Sequence, residues 1–327
     1  MKVLITGATG FVGSHVLDIL QARGIAAAVL LRPTSDKRFI ASHLSNLDLR
    51  IGSVGDPESL DAALDGATHV VHCAGCTNAV RAAEFYKVNQ QGTRNVVEAV
   101  NRRQGRIQRL VHISSQAAAG PAPADKPARE DDPPHPVSDY GRSKLAGEKE
   151  VRDACKPDFV ILRPPAVYGP RDRAFLPLFK AVRAHFVPRI GGGRMPLSLV
   201  FVKDLAGAVA ACLGAPSAPG KTFFVASPQV ASPGRLAEEI ASQMKAWTLP
   251  LPLPTAALWP ICVAQEGLSR LTGRPSVLSR QRYAEFSAAG WVCDPDRLGR
   301  EVGFACTTGL GDGVAETLAW YRGQGWL

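Results

Sequence analysis

Tyr140 and Lys144 are residues whose types and spacing could do chemistry in this 327-residue sequence. They form a Tyr-x-x-x-Lys pattern inside residues 138–155, which are predicted to form a helix, and positions four apart lie on the same face of a helix. A phenol has a pKa of about 10, so it needs a nearby cation to exchange protons near neutrality. We therefore expect Lys144 to lower the pKa of Tyr140. The alternative is a pair on a surface helix, because the pattern is common by chance.

Two adjacent serines, Ser114 and Ser115, follow an apolar run that predicts a buried strand. Neighbouring side chains on a strand point to opposite faces, so only one of the two hydroxyls can lie beside a substrate. A hydroxyl in that place could hydrogen-bond a reacting oxygen and hold it near Tyr140.

A glycine-rich turn near the N-terminus indicates a binding site. Lys2–Thr6 is apolar enough for a buried strand, and residues 14–23 have the apolar spacing of a helix. Gly7, Gly10 and Gly13 lie in the turn between these two elements. A side chain at Gly7 or Gly10 would hold the backbone away from a pyrophosphate, and one at Gly13 would push the helix off the sheet. The free N–H groups of the helix would face the phosphates, so the turn predicts a dinucleotide site.

The glycine turn, read as Thr6-Gly7-Ala8-Thr9-Gly10-Phe11-Val12-Gly13, resembles that of the extended short-chain dehydrogenase/reductase family. The segments 162–172 and 202–206 resemble later motifs of the same family. The resemblance implies an α/β fold: a Rossmann-type doubly wound parallel sheet with a smaller, mixed C-terminal substrate domain. It also implies an NAD(P)-dependent enzyme with Ser115, Tyr140 and Lys144 as catalytic residues, because the family places its catalytic hydroxyl second in such a serine pair.

The same resemblance implies which residues bind the cofactor. They come from the glycine turn, the ends of strands two to four, the helix with Asn89, the catalytic helix and the segment after strand six. These residues are Gly7, Thr9, Gly10, Phe11, Val12, Arg32, Ser53, Val54, Cys73, Ala74, Gly75, Asn89, Tyr140, Lys144, Pro164 and Val167.

The end of strand two bears on the choice between NADP and NAD. An acidic residue there usually takes the ribose hydroxyls of NAD, whereas an arginine suits the 2′-phosphate of NADP. This chain has Arg32 there and Asp36 further into the loop, so NADP is favoured over NAD. In the alternative, Arg32 only ends the strand in solvent. Ser53 stands where relatives carry an acid facing the adenine, and Asp56 is expected to cap the next helix, with Pro57 in its first turn.

Strands and helices alternate through the first half of the chain, which is typical of a doubly wound parallel sheet. We expect a dinucleotide-binding domain over residues 1–165, with segments at about 197–225 returning to it. Residues 166–327 would mainly form the substrate-binding domain. The family resemblance implies a homodimer through helices at 85–102 and 138–155.

Composition excludes several other classes of protein. The apolar share is 46% and mean hydropathy is near zero, as in ordinary globular proteins. The net charge of +9 comes from dispersed arginines, so we expect no nucleic-acid partner. Seven scattered cysteines indicate free thiols, and Cys73-x-x-Cys76 lacks the further ligands of a zinc site, so no metal is expected. We expect no signal peptide or transmembrane segment, and a cytoplasmic protein.

The residues after Ser115 narrow the reaction. Dehydratases of the family carry Asp-Glu there, whereas this chain has Gln116-Ala117, and alanine transfers no proton. Nucleotide-sugar enzymes tend to place an arginine for the diphosphate five residues before the Val-x-Asp motif, where this chain has Leu197. Arg171 or Arg194 could substitute from elsewhere.

Residues 246–271 are rich in Trp, Leu and Pro. They predict either a packed core helix with a proline-rich lead-in, an apolar lid over a ring-bearing substrate, or a membrane-surface contact through which a lipid enters. Together these features favour hydride transfer between NAD(P) and a secondary alcohol or ketone of an apolar, 3β-hydroxysteroid- or dihydroflavonol-like substrate. The alternatives are a nucleotide-sugar epimerase that retains NAD through a transient oxidation, and a non-catalytic cofactor-binding sensor or scaffold.

Overall fold

The computed structural model describes residues 1–273 and 280–327. Its strands are β1 (Lys2–Thr6), β2 (Ala26–Leu31), β3 (Asp48–Ile51), β4 (His69–His72), β5 (Arg109–Ile113), β6 (Asp158–Arg163), β7 (Ala166–Tyr168), β8 (Phe186–Ile190), β9 (Leu197–Phe201), β10 (Lys221–Phe224), β11 (Val230–Ala231) and β12 (Leu249–Leu253). Its α-helices are α1 (Phe11–Ala22), α2 (Pro57–Ala63), α3 (Ala82–Tyr86), α4 (Gly92–Arg102), α5 (Gln116–Ala119), α6 (Asp139–Ala154), α7 (Leu176–Arg183), α8 (Val202–Gly214), α9 (Pro233–Met244), α10 (Thr255–Thr272), α11 (Arg280–Phe286), α12 (Asp296–Val302) and α13 (Leu310–Gly323).

The main sheet has seven parallel strands in the order β10-β6-β5-β4-β1-β2-β3. From β1 the chain builds outward to β2 and β3, and it then returns to the other side of β1 with β4. A doubly wound sheet binds its ligand at such a reversal, outside the carboxyl ends of the strands. The predicted Rossmann-type fold is confirmed, and the switch point lies between β1 and β4.

Helices cover both faces of this sheet, which explains why its central strands are almost entirely apolar. On one face α1 and α8 pack together over β1, with Val16, Leu20 and Val209 fully buried. On the other face Leu60 of α2 and Val96 of α4 are buried in a second apolar cluster. The two clusters fix the carboxyl ends of the strands at one edge of the protein.

Two smaller sheets follow in the second half of the chain. One has the order β11-β9-β7, and the other is the parallel pair β12–β8. A third apolar cluster, with Phe179, Leu236 and Tyr321 at its centre, lies among these elements. The domain boundary at residue 165 stays a prediction, although β10 joins the main sheet beside β6.

Several element boundaries differ from those predicted. The predicted helix over 85–102 begins at Ala82, and a π-helical turn, Lys87–Gln91, separates α3 from α4. Helix α1 begins at Phe11, so Gly13 lies within the helix and not in the turn. The strands β7, β8, β11 and β12 and the helices α7 and α11 have no counterpart in the sequence-based prediction.

Residues 246–271 form β12 and α10. Leu258 and Cys262 of α10 are buried, but most large apolar side chains of this segment are exposed to solvent. The prediction of a packed core helix is therefore wrong, because only one narrow side of α10 faces the protein. No helix within the described residues is both long and apolar enough to cross a bilayer.

Candidate active site

The glycine turn lies at the carboxyl end of β1. Gly7 has a φ of +74°, and a Cβ there would lie 2.7 Å from the backbone nitrogen of Ala74. A Cβ on Gly13 would collide with the carbonyl of Gly7. Both glycines are therefore required by packing within the protein, Gly7 against the turn after β4 and Gly13 against the turn after β1. This differs from the prediction for Gly7, which invoked only the approach of a pyrophosphate.

Gly10 is different, because a Cβ there would meet only the carbonyl oxygen of Gly7, at 3.3 Å, within a 4 Å radius. Gly10 is the N-cap of α1 and supplies no side-chain hydrogen bond to the first turn. The first N–H groups of a helix have no partner within the helix, and they concentrate positive potential at its end. Thr9, Phe11 and Val12 adjoin Gly10 here, so the predicted phosphate-binding backbone is exposed on the open side of the turn.

A chain of buried polar groups connects β1 and β4 to the helices. The Thr6 hydroxyl lies 2.7 Å from His72 Nδ1, and His72 Nε2 lies 3.0 Å from the Thr93 hydroxyl. Thr6 Oγ1 also accepts a hydrogen bond from the Ala74 amide. Burial lowers the pKa of His72 to about 3, so this imidazole is neutral and can serve both neighbours. The network fixes the turn Cys73–Gly75, which is predicted to lie beside the cofactor.

Asn89 joins that turn to the helix that carries Tyr140. Its Oδ1 accepts from the Cys76 amide at 2.8 Å, and its Nδ2 donates to the Cys76 carbonyl and to Ser143 Oγ, both at 2.9 Å. Ser143 in turn donates to the carbonyl of Tyr140 at 2.7 Å. The buried Asn89 amide thus uses both of its hydrogen-bond donors and one of its two acceptor positions within the protein. Its role here is to position the active-site backbone.

The serine pair divides as the strand alternation predicts. Ser114 Oγ is buried and donates to Glu148 Oε1 at 2.6 Å. Ser115 faces the other way: its side chain lies close enough to the Tyr140 phenol to lower the pKa of that phenol, and its Oγ accepts from the Ala117 amide as the N-cap of α5. The hydroxyl beside the phenol is therefore that of Ser115.

Tyr140 lies in the first turn of α6 and is partly exposed to solvent. Burial raises the pKa of the Tyr140 phenol, Ser115 and Arg282 act to lower it, and Glu285 acts to raise it. The prediction that Lys144 lowers the pKa of Tyr140 stays a prediction.

Lys144 is almost fully buried, and its Nζ donates to the carbonyl of Ile113 at 2.6 Å. Burial lowers its pKa to about 8, against the attraction of Glu148. A Cβ on Gly75 would lie 3.9 Å from the same Nζ. The ammonium thus lies between the carboxyl ends of β4 and β5, on the side of the switch point.

Sequence reasoning missed several residues that shape this site. Arg282 and Glu285 of α11 act on the phenol from a distant part of the chain, and no motif marks them. Glu148 is fully buried and accepts from both Ser114 and Arg163. Its position four residues after Lys144 on the same helix face was a signal that could have revealed it.

The predicted residues after strands two and three lie at the same edge of the sheet. Arg32 is exposed at the end of β2 and forms no ion pair within the described residues, whereas Asp36 is paired with Arg38. Ser53 Oγ accepts from the Gly55 amide, and the carbonyl of Val54 accepts from Asn95 at 2.9 Å.

Three further predictions concern the cap of α2, the segment around β7 and the cysteines of the chain. Asp56 caps α2 through the amides of Glu58 and Ser59, as predicted. Pro164 accepts from the Gln116 amide at 2.8 Å, and Val167 lies in β7 against the α1–α8 cluster. All seven cysteines are free thiols, as predicted, and no group of described residues could hold a metal ion.

Comparison with known proteins shows the family of this chain. A model described as the NAD dependent epimerase/dehydratase family matches residues 3–226, from β1 to just beyond β10. The chain belongs to this family. The predicted resemblance to the extended short-chain dehydrogenases/reductases is confirmed, and so is the prediction that the protein is an NAD-dependent type of enzyme.

Two relatives in the NAD-dependent epimerase/dehydratase family are reductases. The chain is 32% identical over 330 residues to a ceramide reductase from Caulobacter vibrioides, covering 99% of this chain and 96% of the relative. It is 31% identical over 214 residues to a 4-hydroxy-2-methyl-3-oxo-4-farnesyl-3,4-dihydroquinoline-1-oxide ketoreductase from Stigmatella aurantiaca, covering 63% of this chain and 62% of that one. Their activities belong to those proteins.

Solved structures share the fold over the whole chain. The UDP-glucose 4-epimerase of Thermus thermophilus in complex with NAD superposes with a TM-score of 0.78, covering 99% of each chain at 24% identity. This likeness confirms the architecture of the chain, and the solved structure shows the same architecture with NAD bound.

Proposed function

We propose that the protein is an NAD(P)H-dependent reductase that converts a ketone of an apolar substrate into a secondary alcohol. The observation that carries the proposal is the placement of the Ser115 hydroxyl against the Tyr140 phenol, with the Lys144 ammonium at the neighbouring strand ends. Ser115 follows the end of β5, and Tyr140 and Lys144 lie in α6, with Lys144 Nζ between the ends of β4 and β5. A phenol, a hydroxyl and an ammonium in this arrangement suit the polarisation and protonation of a carbonyl oxygen.

The cofactor would lie across the carboxyl ends of β1 and β4. The open side of Gly10 and the first amides of α1 would hold its pyrophosphate, and Lys144 and the Cys73–Gly75 turn would contact its nicotinamide ribose. A bound nicotinamide cofactor supplies the hydride that reaches the carbonyl carbon. The Lys144 ammonium donates to the Ile113 carbonyl, and its other donors lie in a dry environment, where each hydrogen bond is stronger than in water.

The proton on the Tyr140 phenol is the one that the reductive direction requires. At neutral pH the phenol holds its proton, so it can donate that proton to the carbonyl oxygen as hydride arrives at the carbon. Ser115 would hold the same oxygen by a hydrogen bond. The proton lost from Tyr140 is then replaced from solvent, because the residue remains partly exposed.

The apolar substrate class is supported by two independent features. The side chains that replace the polar residues of sugar-processing relatives are Ala117 and Leu197, neither of which can bind a diphosphate or move a proton. The reductase relatives act, by their names, on ceramide and on a farnesylated ring. A long-chain lipid ketone is therefore the first substrate to test, followed by steroid and dihydroflavonol ketones.

NADP is the cofactor we infer. Arg32 is exposed and without an ion-pair partner in the described part of the chain, so it is available to a 2′-phosphate. Asp36, the one acid near the end of β2, is engaged by Arg38. An acid held in this way is a weaker partner for the ribose hydroxyls of NAD.

A homodimer through α4 and α6 is also proposed, on the strength of the family resemblance. These helices lie side by side and are bridged by Arg94 and Glu150, at 2.8 Å, so they form one continuous surface. Sedimentation velocity should give twice the mass of the 34.8 kDa chain, and a monomer at micromolar concentration would contradict this assembly.

An absorbance screen at the nicotinamide band tests the reaction. Purified protein would be mixed with NADPH or NADH and with ceramide-type, steroid, flavonoid, simple-ketone and sugar-nucleotide substrates. The reductase proposal predicts net NADPH consumption with an apolar ketone, loss of that activity in Tyr140→Phe, and retention in the matched variant Tyr86→Phe.

Two other results would each support a different function. Tightly retained cofactor with inversion of a sugar nucleotide and no net change in NADPH would support the epimerase, whose fold the chain shares. Cofactor binding without turnover of any substrate would support a sensor or scaffold. Either result contradicts the reductase proposal.

A further inference from the structure

A large apolar surface remains exposed on the second half of the chain. Of the thirteen exposed large apolar side chains of the described residues, nine lie in β8, β12, α10 and the residue Trp247 before β12. We call them the β12–α10 face: Phe186, Trp247, Leu249, Leu251, Trp259, Ile261, Val263, Leu268 and Leu271. Trp247 is 65% exposed and Leu271 is 87% exposed. With roughly 100 Å² exposed by each large side chain, the face exceeds the few hundred Å² of apolar patch usual on a monomer.

The helical part of this face is apolar around most of its circumference. Leu258 and Cys262, four residues apart, are its buried side. The exposed residues of α10 point in the remaining directions, and the helix contains only two charged residues, Glu266 and Arg270. A surface helix normally carries polar residues on its outer side, so α10 is suited to an apolar environment there.

The strand part of the face is closed to strand addition by a protein partner. The Leu249 amide donates to the carbonyl of His185, so alternate amides of β12 point towards β8. The residues whose amides would point outward are Pro250 and Pro252, which have no N–H group. The outer edge of β12 therefore offers no donors for another strand, although its leucines are exposed.

Basic residues without acidic partners border the face. Lys180, Arg183, Arg194 and Lys245 are exposed and form no ion pair within residues 1–273 and 280–327. No acidic residue occurs between positions 174 and 203. Two carboxylates on neighbouring elements are neutralised, since Glu238 of α9 pairs with Arg189 of β8 and Glu266 of α10 pairs with Arg280. The border of the face is consequently positive.

We propose that the β12–α10 face docks on the surface of an anionic lipid bilayer. Exposed aliphatic and tryptophan side chains surrounded by unpaired cations match an interface of acyl chains and negatively charged headgroups. His185 stacks on Trp247 at 4.2 Å and fixes this side chain in its exposed position. Helix α10 packs on α11, which carries the Arg282 and Glu285 that act on Tyr140, so the docked face adjoins the candidate active site. Docking is independent of the reductase proposal, because it concerns binding and not turnover.

Vesicle co-sedimentation tests this docking without any substrate. Full-length protein would be mixed with vesicles of phosphatidylcholine, with or without phosphatidylglycerol. We expect partitioning into the phosphatidylglycerol vesicles to be at least tenfold stronger and to weaken with added salt. The triple variant Leu249→Ser, Leu268→Ser and Leu271→Ser changes only exposed side chains and should reduce partitioning at least tenfold. The matched variant Leu49→Ser with Ile51→Ser, exposed on β3, should bind like the unmodified protein.

The charged border has its own variant. Lys180→Gln with Arg183→Gln and Arg194→Gln should abolish the preference for phosphatidylglycerol while weak binding to phosphatidylcholine remains. Circular dichroism and NADPH binding confirm that each variant is folded. The proposal is overturned if the unmodified protein binds neither vesicle, or if the triple serine variant binds as strongly as the β3 control. It is also overturned if the serine variant converts a dimer into a monomer, since the face would then be a contact between copies of the chain.

Discussion

Replacing each of two adjacent serines by alanine should separate catalysis from stability. Ser115 faces the Tyr140 phenol, whereas Ser114 donates to the buried carboxylate of Glu148 at 2.6 Å. The two serines directly follow β5 and their side chains point to opposite sides of the chain, so each variant serves as the control for the other. Ser115→Ala should lose turnover, and Ser114→Ala should lose stability.

The magnitudes follow from the partners. A hydrogen bond to a buried charge contributes about 1.5–3 kcal/mol, so Ser114→Ala should lower the Tm by about 3–6 °C and leave kcat within threefold. In the proposed reaction Ser115 orients the substrate oxygen on which charge develops, and loss of such a donor costs about 10²–10³ in kcat. Its second role, as N-cap of the four-residue α5, adds only about 1 kcal/mol of lost stability.

Steady-state kinetics with saturating NADPH and thermal unfolding by circular dichroism would be measured on both variants. The expected pattern is a slow, nearly stable Ser115→Ala and an active, less stable Ser114→Ala. If Ser115→Ala retained normal kcat, or if Ser114→Ala lost activity while keeping its Tm, the assignment of the two faces of β5 would be refuted.

Three further predictions concern single charged residues. Arg32→Ala should raise the KM for NADPH by about 10–100-fold, as expected for about 1.5–3 kcal/mol of charged hydrogen bonding, with KM for NADH nearly unchanged in steady-state assays. Glu148→Gln should lower the free energy of unfolding by about 3–5 kcal/mol in urea titrations, because it leaves Arg163 buried without its partner. The folded-state pKa of Lys144 is about 8, below the usual 10.5, so the unfolded chain holds the proton more strongly between these values. The free energy of unfolding of the unmodified protein should therefore increase relative to that of Lys144→Met as pH rises from about 8 to 10.5, with no such trend below pH 8. Urea titrations of both proteins at pH 7 and pH 10 would measure this difference in stability. The same difference at both pH values would contradict a buried ammonium with a lowered pKa.

Local patterns were enough to predict the part of the site built from β1 and α1. The glycines lie within seven residues of each other, and their requirements are set by the backbone of the same turn and of the next strand. Likewise, the alternation of side chains on β5 separated Ser114 from Ser115 without knowledge of their partners. The requirement for Gly13 and the separation of the two serines depend on geometry that nearby residues impose on one another, whereas the packing of Gly7 depends on Ala74 in a distant segment.

The electrostatic environment of Tyr140 could not be predicted in the same way. A four-residue spacing places Lys144 on the same helix face as Tyr140, but it does not say which way a long flexible side chain turns. The ammonium finds the Ile113 carbonyl, and the charges that reach the phenol come from α11. Such contacts depend on how remote helices pack, so the sequence near Tyr140 does not predict them.

The second half of the chain was harder to predict because its strands are short or rich in proline. Proline normally argues against a strand, yet β12 contains Pro250 and Pro252 and pairs with β8. The prolines are tolerated because they lie at the positions of β12 whose amides would point away from β8, where no ladder hydrogen bond is lost. The apolar composition of residues 246–271 was compatible with a buried segment and with an exposed one, since composition alone does not show which side of α10 packs against the protein.

Transfer of deuterium from NADPH labelled at C4 of the nicotinamide ring tests the central claim most directly. The protein would be incubated with a lipid ketone and each C4-labelled epimer of the cofactor in turn, and the product analysed by mass spectrometry. We predict one deuterium on the carbinol carbon from only one of the two epimers, and none with Tyr140→Phe despite normal NADPH binding. Equal transfer by Tyr140→Phe, or no transfer to any ketone alongside inversion of a sugar nucleotide, would contradict the proposed chemistry.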